Sequence, residues 1–359
     1  MNLIIPIFEK KLTLKKILQL TFVLFVSINF AQKMMVIELK ESIKDKRGLT
    51  KALTFIDKRQ DKKIGIIDDK GEFVTIKFED EDVKNHVESW FFKDNKKTGN
   101  TDIVVILEEL KVYNEQDQDK EYPYAKTKIK ISSFLKRNNN YYFINRFDNV
   151  IVCNPKRVSH APKYLAEQIS EIITEFIKGS YSSTITSYAI SESDIDNYNQ
   201  YLSKNNKAVN NSELKEGVYT DFKSFYNQEP NADYSLRKNK NGNVVRLIHK
   251  DLQTSLAEMF CYVEEGKGYK LTPVGFDEMK KNENGFYIYS SRANLFTESK
   301  TGGVFVGAVA GGLVGAAIGA AIDSGSNRNS GAINGTGFKS SIEGIVYIDS
   351  LTGAYVFEN

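Results

Sequence analysis

Histidine and cysteine are scarce in this sequence. Its 359 residues hold three of the first and two of the second, with one tryptophan and six prolines. The histidines, His86, His160 and His249, stand far apart, and none lies in an H-E-x-x-H or comparable spacing. The usual histidine-based zinc chemistry is therefore excluded. Each reads as a satisfied or solvent-facing side chain. The nucleophile elbow G-x-S-x-G is missing, as is a catalytic-cysteine signature. "GGVFVGAVAGG" has glycines but lacks the Lys-Ser/Thr of a phosphate loop and the acid of a ribose site, which excludes a nucleotide reading. The acidic run "EDEDV" (Glu79–Val83) lacks alternating ligands and a downstream bidentate Glu, so it reads as a solvated loop rather than a Ca²⁺ site. "NEQDQDKEY" (Asn114–Tyr122) reads as an exposed loop, and Trp90 as core. No catalytic, cofactor-binding or metal-ligating residue is nominated, and the expectation is a protein that is not an enzyme.

An excess of one charge is also missing. The whole chain carries a net charge of +3. Lys10, Lys11, Lys15 and Lys16, with one Glu, fall within residues 1–31, so the remainder has equal numbers of acidic and basic residues. That balance gives no electrostatic footprint for nucleic acid. The same lysines form a basic region ahead of an apolar run, Ile17–Phe30, and Ala31 offers a small residue before Gln32. The pattern predicts a secretion signal, 1–31. No cysteine follows it, so a lipid anchor is not expected. An uncleaved anchor is the alternative, although the apolar run is short for a span. Export permits a disulfide. Cys153 and Cys261 stand in separate apolar, strand-like runs, and two buried free thiols is the favoured reading.

What is present suffices for real cores. Apolar residues make up 41% and aromatics 12%, enough to exclude global disorder. The length points to two domains. Residues 34–205 read as an α+β domain, an antiparallel sheet covered by an amphipathic helix. "KKIGIIDDKGEFVTIKF" predicts strand, turn and strand. "DIVVILEELKVYNE" predicts a long strand. "AKTKIKISSFLKR" alternates, with Ile129, Ile131 and Phe134 inward, Lys126, Lys128 and Lys130 outward, and a slip of register near Ser132–Ser133. Between Pro162 and Lys178, Leu165, Ile169, Ile172, Ile173, Phe176 and Ile177 form one helical stripe, which Gly179 should end. A more polar helix is expected over 193–203.

Residues 206–213, rich in Asn and Lys, read as a linker. A small β-rich domain, 214–359, follows. It opens on "GVYTDFKSFYNQEP", a short helix with Thr220 as its expected N-cap. Strands follow, with a hairpin turn over Glu264–Gly268 and a closing hairpin in "GIVYIDSLTGAYVFE" turning at Asp349–Gly353.

That domain is interrupted by a glycine-zipper insert, 302–322. Gly303, Gly307, Gly311, Gly315 and Gly319 recur every fourth residue in an uncharged 21-residue run. As a helix the run is about 30 Å long, the thickness of a bilayer's hydrocarbon core. Glycine costs a helix about 1 kcal/mol each against alanine. In lipid that cost is offset because a small-residue stripe lets two helix backbones touch. The first reading is a membrane-associated helix. The alternatives are a helical hairpin turning at Gly311-Gly312 and a loop that orders on assembly.

The "GVYTDFKSFYNQEP" opening, the "FCYVEEGKGYKL" hairpin, the insert and the closing "YIDSLTGAYVF" together resemble a group of uncharacterised bacterial envelope proteins. The likeness covers about the last 145 residues and implies no activity. The glycine run is similar to zipper segments of bacterial outer-membrane and surface proteins. The first domain is similar to sheet-plus-helix periplasmic domains of transport-associated envelope proteins, which implies a fold type alone. The resulting expectation is an exported cell-envelope protein, periplasmic or outer-membrane associated, with a binding or scaffolding role. Its partners would be membrane lipid, or a second copy through the stripe, and not nucleic acid. The alternative is a soluble periplasmic or secreted binding protein whose zipper is an internal packing hairpin.

Overall fold

The computed structural model describes residues 33–96, 99–116, 121–156, 158–181, 188–295 and 342–357. Residues 1–31, expected to be a secretion signal, and the five glycines of the stripe lie outside the described residues. The architecture is mixed α/β and mostly sheet.

The first half builds one eight-stranded sheet from β1 (Lys33–Ile37), β2 (Thr50–Asp57), β3 (Gly65–Asp69), β4 (Glu72–Phe78), β5 (Thr101–Glu115), β6 (Tyr124–Arg137), β7 (Asn140–Cys153) and β8 (Ala189–Ser191). The order is β1-β4-β3-β5-β6-β7-β8, with β2 beside the first half of β5. The sequence led us to expect an antiparallel sheet, and the sheet is instead mixed. β1 with β4, β2 with β5 and β3 with β5 pair in parallel. Parallel neighbours need a long crossover. Residues 58–100 supply one for β2 and β5, and they carry helix α1 (Val83–Asp94), which packs on β2.

Helix α1 was not expected from the sequence, whereas the acidic run Glu79–Asp82 ahead of it is the exposed loop the sequence predicted. Asp82 caps it, accepting from the Asn85 amide at 3.0 Å. Val83, Val87, Trp90 and Phe91 are buried at helical spacing. The acidic run is thus the approach to a helix, where carboxylates favour the exposed N–H groups.

Helix α2 (Ala161–Ser180) covers one face of the sheet. All six residues of its predicted stripe are fully buried, among Ile37, Phe55, Ile67, Val105, Ile129 and Ile131. Burial of side chains this size contributes about 1.5–3 kcal/mol each before entropy is charged. Gly179 lies inside the helix rather than ending it. The last turn is held by Ser180, whose hydroxyl donates to the Phe176 carbonyl at 2.8 Å and lies 2.8 Å from Ser133 Oγ.

The opposite face carries a second core. There Val104, Ile106, Phe134, Tyr141 and Phe143 meet Tyr198 and Leu202 of helix α3 (Tyr198–Ser203) and Leu351 of the closing hairpin. Phe134 therefore points away from Ile129 and Ile131, and β6 keeps its alternation without a slip. The bulges are in its neighbours. Leu107 pairs Ile131 and Glu109 pairs Lys130, leaving Glu108 extra on β5. Ser133 pairs Asn145 and Phe134 pairs Phe143, leaving Ile144 extra on β7. A bulge re-aims the side chains beyond it, so Leu107 and Leu110 both reach the α2 core. Lys126, expected outward, is buried, with its ammonium 2.7 Å from Glu115 Oε2.

Residues 206–213, read as a linker, hold helix α4 (Lys207–Asn210). Ala208 is buried in the second half's core, and Asn206 caps the helix while donating to the Ser350 carbonyl at 3.0 Å. The second half continues with β9 (Gly217–Tyr219), α5 (Phe222–Asn227), β10 (Tyr234–Lys238), β11 (Val244–His249), β12 (Leu252–Thr254), β13 (Cys261–Glu264), β14 (Lys267–Thr272), β15 (Gly275–Asn282), β16 (Gly285–Ser290), α6 (Arg292–Leu295), β17 (Gly344–Ile348) and β18 (Tyr355–Val356). Asp221, not Thr220, caps α5, in a reciprocal capping box with Ser224. The main sheet runs β18-β17-β16-β15-β14-β13-β9, and β10-β11-β12 form a small separate sheet.

Candidate functional site

The closing hairpin is where the two halves meet. Asp349 ends β17 and organises the turn, accepting from the amides of Leu351 at 2.8 Å and Thr352 at 2.9 Å. Gly353 completes it at φ 72°, with Phe222 so near that a Cβ would lie 2.6 Å from the ring. Both demands leave glycine as the residue that fits. Arg146, just past the β7 bulge, reaches across the joint. Its Nε donates to Asp349 Oδ2 at 2.7 Å and its Nη1 to Asn199 Oδ1 at 3.0 Å. The pair is buried, with side chains 5% and 3% exposed. Burial pushes the Asp349 carboxyl up. The Arg146 guanidinium and the two turn amides outweigh it and hold the group below its ordinary value. Burial also opposes the charge on Arg146, and the Asp349 carboxylate more than restores it.

Around this pair several polar groups bridge the halves, while Nδ2 of the adjacent Asn145 is buried without a hydrogen-bond partner among the described residues. Glu108, the bulged residue of β5, accepts from Ser132 Oγ and Tyr198 Oη, both at 2.8 Å. Asn149 donates to the Tyr355 carbonyl at 3.2 Å and accepts from the Phe357 amide at 3.3 Å. Arg292 donates to the Val150 carbonyl at 3.2 Å and lies 4.0 Å over the Phe357 ring. The arrangement is a clamp. Its carboxylate is already filled by donors, so what it does chemically is fix the last hairpin of the second sheet on the first.

Lys270 is the second unusual group. It is fully buried on β14, its ammonium 4.0 Å over the Phe260 ring and registered against Cys261. Burial pulls it down to about 7, against a smaller opposing pull from Cys261. The unfolded lysine keeps its proton to about 10.4. Above pH 7 the unfolded chain therefore binds more protons, and stability rises with pH. The window closes near 8.5, where unfolded cysteine ionises while burial keeps the Cys261 thiol protonated. Lys270→Met is expected to raise stability at pH 6–7 and to remove this rise, as read by urea melts across pH 6–8.5. An unchanged profile would contradict the assignment.

A groove of about 660 Å³ lies between α2 and the chain leaving β1, lined by Glu38, Lys40, Lys163, Glu167 and Gln168 among others. The Oε1 of Gln168 is buried without a hydrogen-bond partner among the described residues. The groove is open and mixed in charge, with Lys163 3.8 Å from Glu167.

The histidines do not converge. His86 is on α1, His160 precedes α2 with Nδ1 3.7 Å from Asp69, and His249 stacks on Tyr234. No cluster of three potential metal ligands occurs among the described residues. Cys153 and Cys261 are free and buried in different cores, and burial pushes the Cys153 thiol up to about 12. No helix among the described residues is long and apolar enough to cross a membrane. Arg146 and Lys270 were not nominated from sequence. Arg146 and its partner stand 203 positions apart, and a lysine in an alternating strand reads as solvent-facing.

The root of the glycine-zipper insert is described even though the stripe is not. The chain leaves at Leu295 and returns at Ile342. Strands β16 and β17, on either side, are antiparallel partners, with Ser290 registered against Gly344. Comparison of the chain with protein-family models, with curated proteins and with solved structures yields no match.

Proposed function

We propose that the chain is an exported cell-envelope protein, periplasmic or outer-membrane associated. In this reading it scaffolds or binds rather than catalyses, and the stripe of Gly303, Gly307, Gly311, Gly315 and Gly319 brings it to lipid or to a second copy of itself. The observation that carries this reading is the pairing of β16 with β17. The segment that carries an uncharged run long enough for a bilayer is flanked on both sides by strands of one sheet, and that sheet is clamped to the rest of the molecule through Arg146 and Asp349.

The pairing also favours one form of membrane association. A single crossing would leave β17 and β18 on the far side from β16. The stretch after the run carries Asp323, Arg328 and Lys339, and charges of this kind are costly at mid-bilayer. The run must then enter and leave on the same side, as a hairpin turning at Gly311-Gly312 or lying in the interface. The same convergence of ends is compatible with the alternative, a soluble periplasmic or secreted protein whose stripe packs internally.

Replacing Gly307, Gly311 and Gly315 together with leucine tests the stripe as a contact surface. The expected result is loss of self-association in detergent, because three isobutyl groups hold backbones apart. Analytical ultracentrifugation reads it, and an unchanged oligomer would sink the proposal.

A further inference from the structure

Along β15 the rule of polar residues on the solvent side holds: Glu278, Lys280 and Asn282 face out while Met279 is buried. On β16 and β17 it fails. Phe286, Ile288, Val346 and Ile348 fill the core. The residues alternating with them, Tyr287, Tyr289, Ile345 and Tyr347, form the other face. Tyr289 is registered against Ile345, and Tyr287 against Tyr347 with ring centroids 6.1 Å apart. Tyr289 is 59% exposed and Ile345 49%. The equivalent face of β13, β14 and the start of β15 is covered, since Tyr262, Tyr269 and Phe276 pack with residues of the small sheet. An antiparallel sheet with one face solvated normally shows polar residues there, so this patch calls for an occupant.

We propose that the Tyr287–Tyr289–Ile345–Tyr347 face is a lipid-contact surface that lies in the headgroup region of a bilayer. Two features commit it to lipid rather than to a protein. The patch stands on the two strands that flank the segment carrying the 21-residue uncharged run, and six residues, 296–301, separate Leu295 from that run, so a membrane that takes up the run lies within about 25 Å of this sheet. Its chemistry is also that of the membrane interface, where tyrosine presents an apolar ring and a hydroxyl that stays wet. The Tyr347 hydroxyl already accepts from Asn282 and Asn284, at 3.2 and 3.3 Å. Lys280, registered against Tyr287, is placed to meet lipid phosphate.

The inference rests on the reading of the glycine-zipper run as membrane-associated, and the test separates the two. Both native cysteines are buried and protonated, so a cysteine introduced at the surface can be labelled alone. The full chain carrying Tyr289→Cys, and separately Leu252→Cys on the small sheet, takes a polarity-sensitive fluorophore and is mixed with vesicles of phosphatidylethanolamine and phosphatidylglycerol. The label at 289 is expected to shift to the blue and to be quenched by lipid-borne quenchers, while the label at 252 stays aqueous. If the chain binds vesicles and the 289 label stays aqueous, the surface is not a lipid contact and the broader reading stands. If the chain binds no vesicles, both fall. The double variant Tyr289→Ser, Ile345→Ser, outward-facing at both positions, is expected to weaken vesicle partitioning about tenfold. Unchanged partitioning would overturn the proposal.

Discussion

Arg146→Ala is expected to destabilise the protein by about 3–5 kcal/mol at neutral pH, because it leaves a buried carboxylate without its counter-charge. Asp349 would keep the turn amides of Leu351 and Thr352 but lose the guanidinium at 2.7 Å. Asn199 would lose its donor as well. The pH dependence follows from the direction of the Asp349 shift. The folded carboxyl lies below its ordinary value, so in the parent protein the pair's contribution is complete above the unfolded value of about 3.9 and is lost as pH falls through the folded one. In the variant burial, the largest influence, is opposed by the two turn amides without the guanidinium, and the carboxyl moves up. Its deficit is therefore largest near pH 7 and shrinks toward pH 4 as the group protonates. Urea melts at both pH values read the difference. The double variant Arg146→Met, Asp349→Asn is expected to lie closer to the parent than Arg146→Ala, since no unpaired charge stays buried. A single variant within 1 kcal/mol of the parent (about the worth of an exposed pair) would show that the clamp is not what joins the two sheets.

How much of this was visible in the sequence depends on how local each cause is. Helix α2 was readable because Leu165, Ile169, Ile172, Ile173, Phe176 and Ile177 carry its burial within a few turns of chain. The hairpin turn at Glu265-Gly266 was readable because both residues take positive φ in a pattern that two-residue hairpins demand. Helix α1 was missed for a reason the sequence contained. Val83, Val87, Trp90 and Phe91 follow helical spacing, but the preceding carboxylates read as a loop instead of a cap. The bulge was sensed on β6 near Ser132–Ser133, whereas the extra residues are Glu108 and Ile144 on its two neighbours. A slip in pairing belongs to two strands, and one strand's alternation does not say which of them carries it. The parallel pairs of β1 with β4 and β2 with β5, and the meeting of Arg146 with Asp349, depend on registers between distant segments that periodicity does not encode. The stripe of five glycines was the clearest signal in the sequence, and what the fold adds is that the strands flanking the segment that carries it, β16 and β17, are partners in one sheet.

Removal of Gly302–Ile322 is expected to leave a folded protein that no longer associates with membranes. The strands that bracket the run are already partners, so the sheet does not depend on it. Shortening the connection between Leu295 and Ile342 to roughly half its length changes the loop-closure cost by only about 0.5 kcal/mol, in the stabilising direction. Near-UV circular dichroism should therefore match the parent, and melts should agree within about 1 kcal/mol.

The most direct measurement is the distribution of the intact and shortened chains, both without residues 1–31, between membrane pellet and supernatant after a high-salt wash. The intact chain should remain in the pellet until detergent is added, and the shortened one should be in the supernatant with its fold unchanged. Intact protein released by salt alone, or a shortened chain retained equally well, would contradict the role given to the glycine stripe.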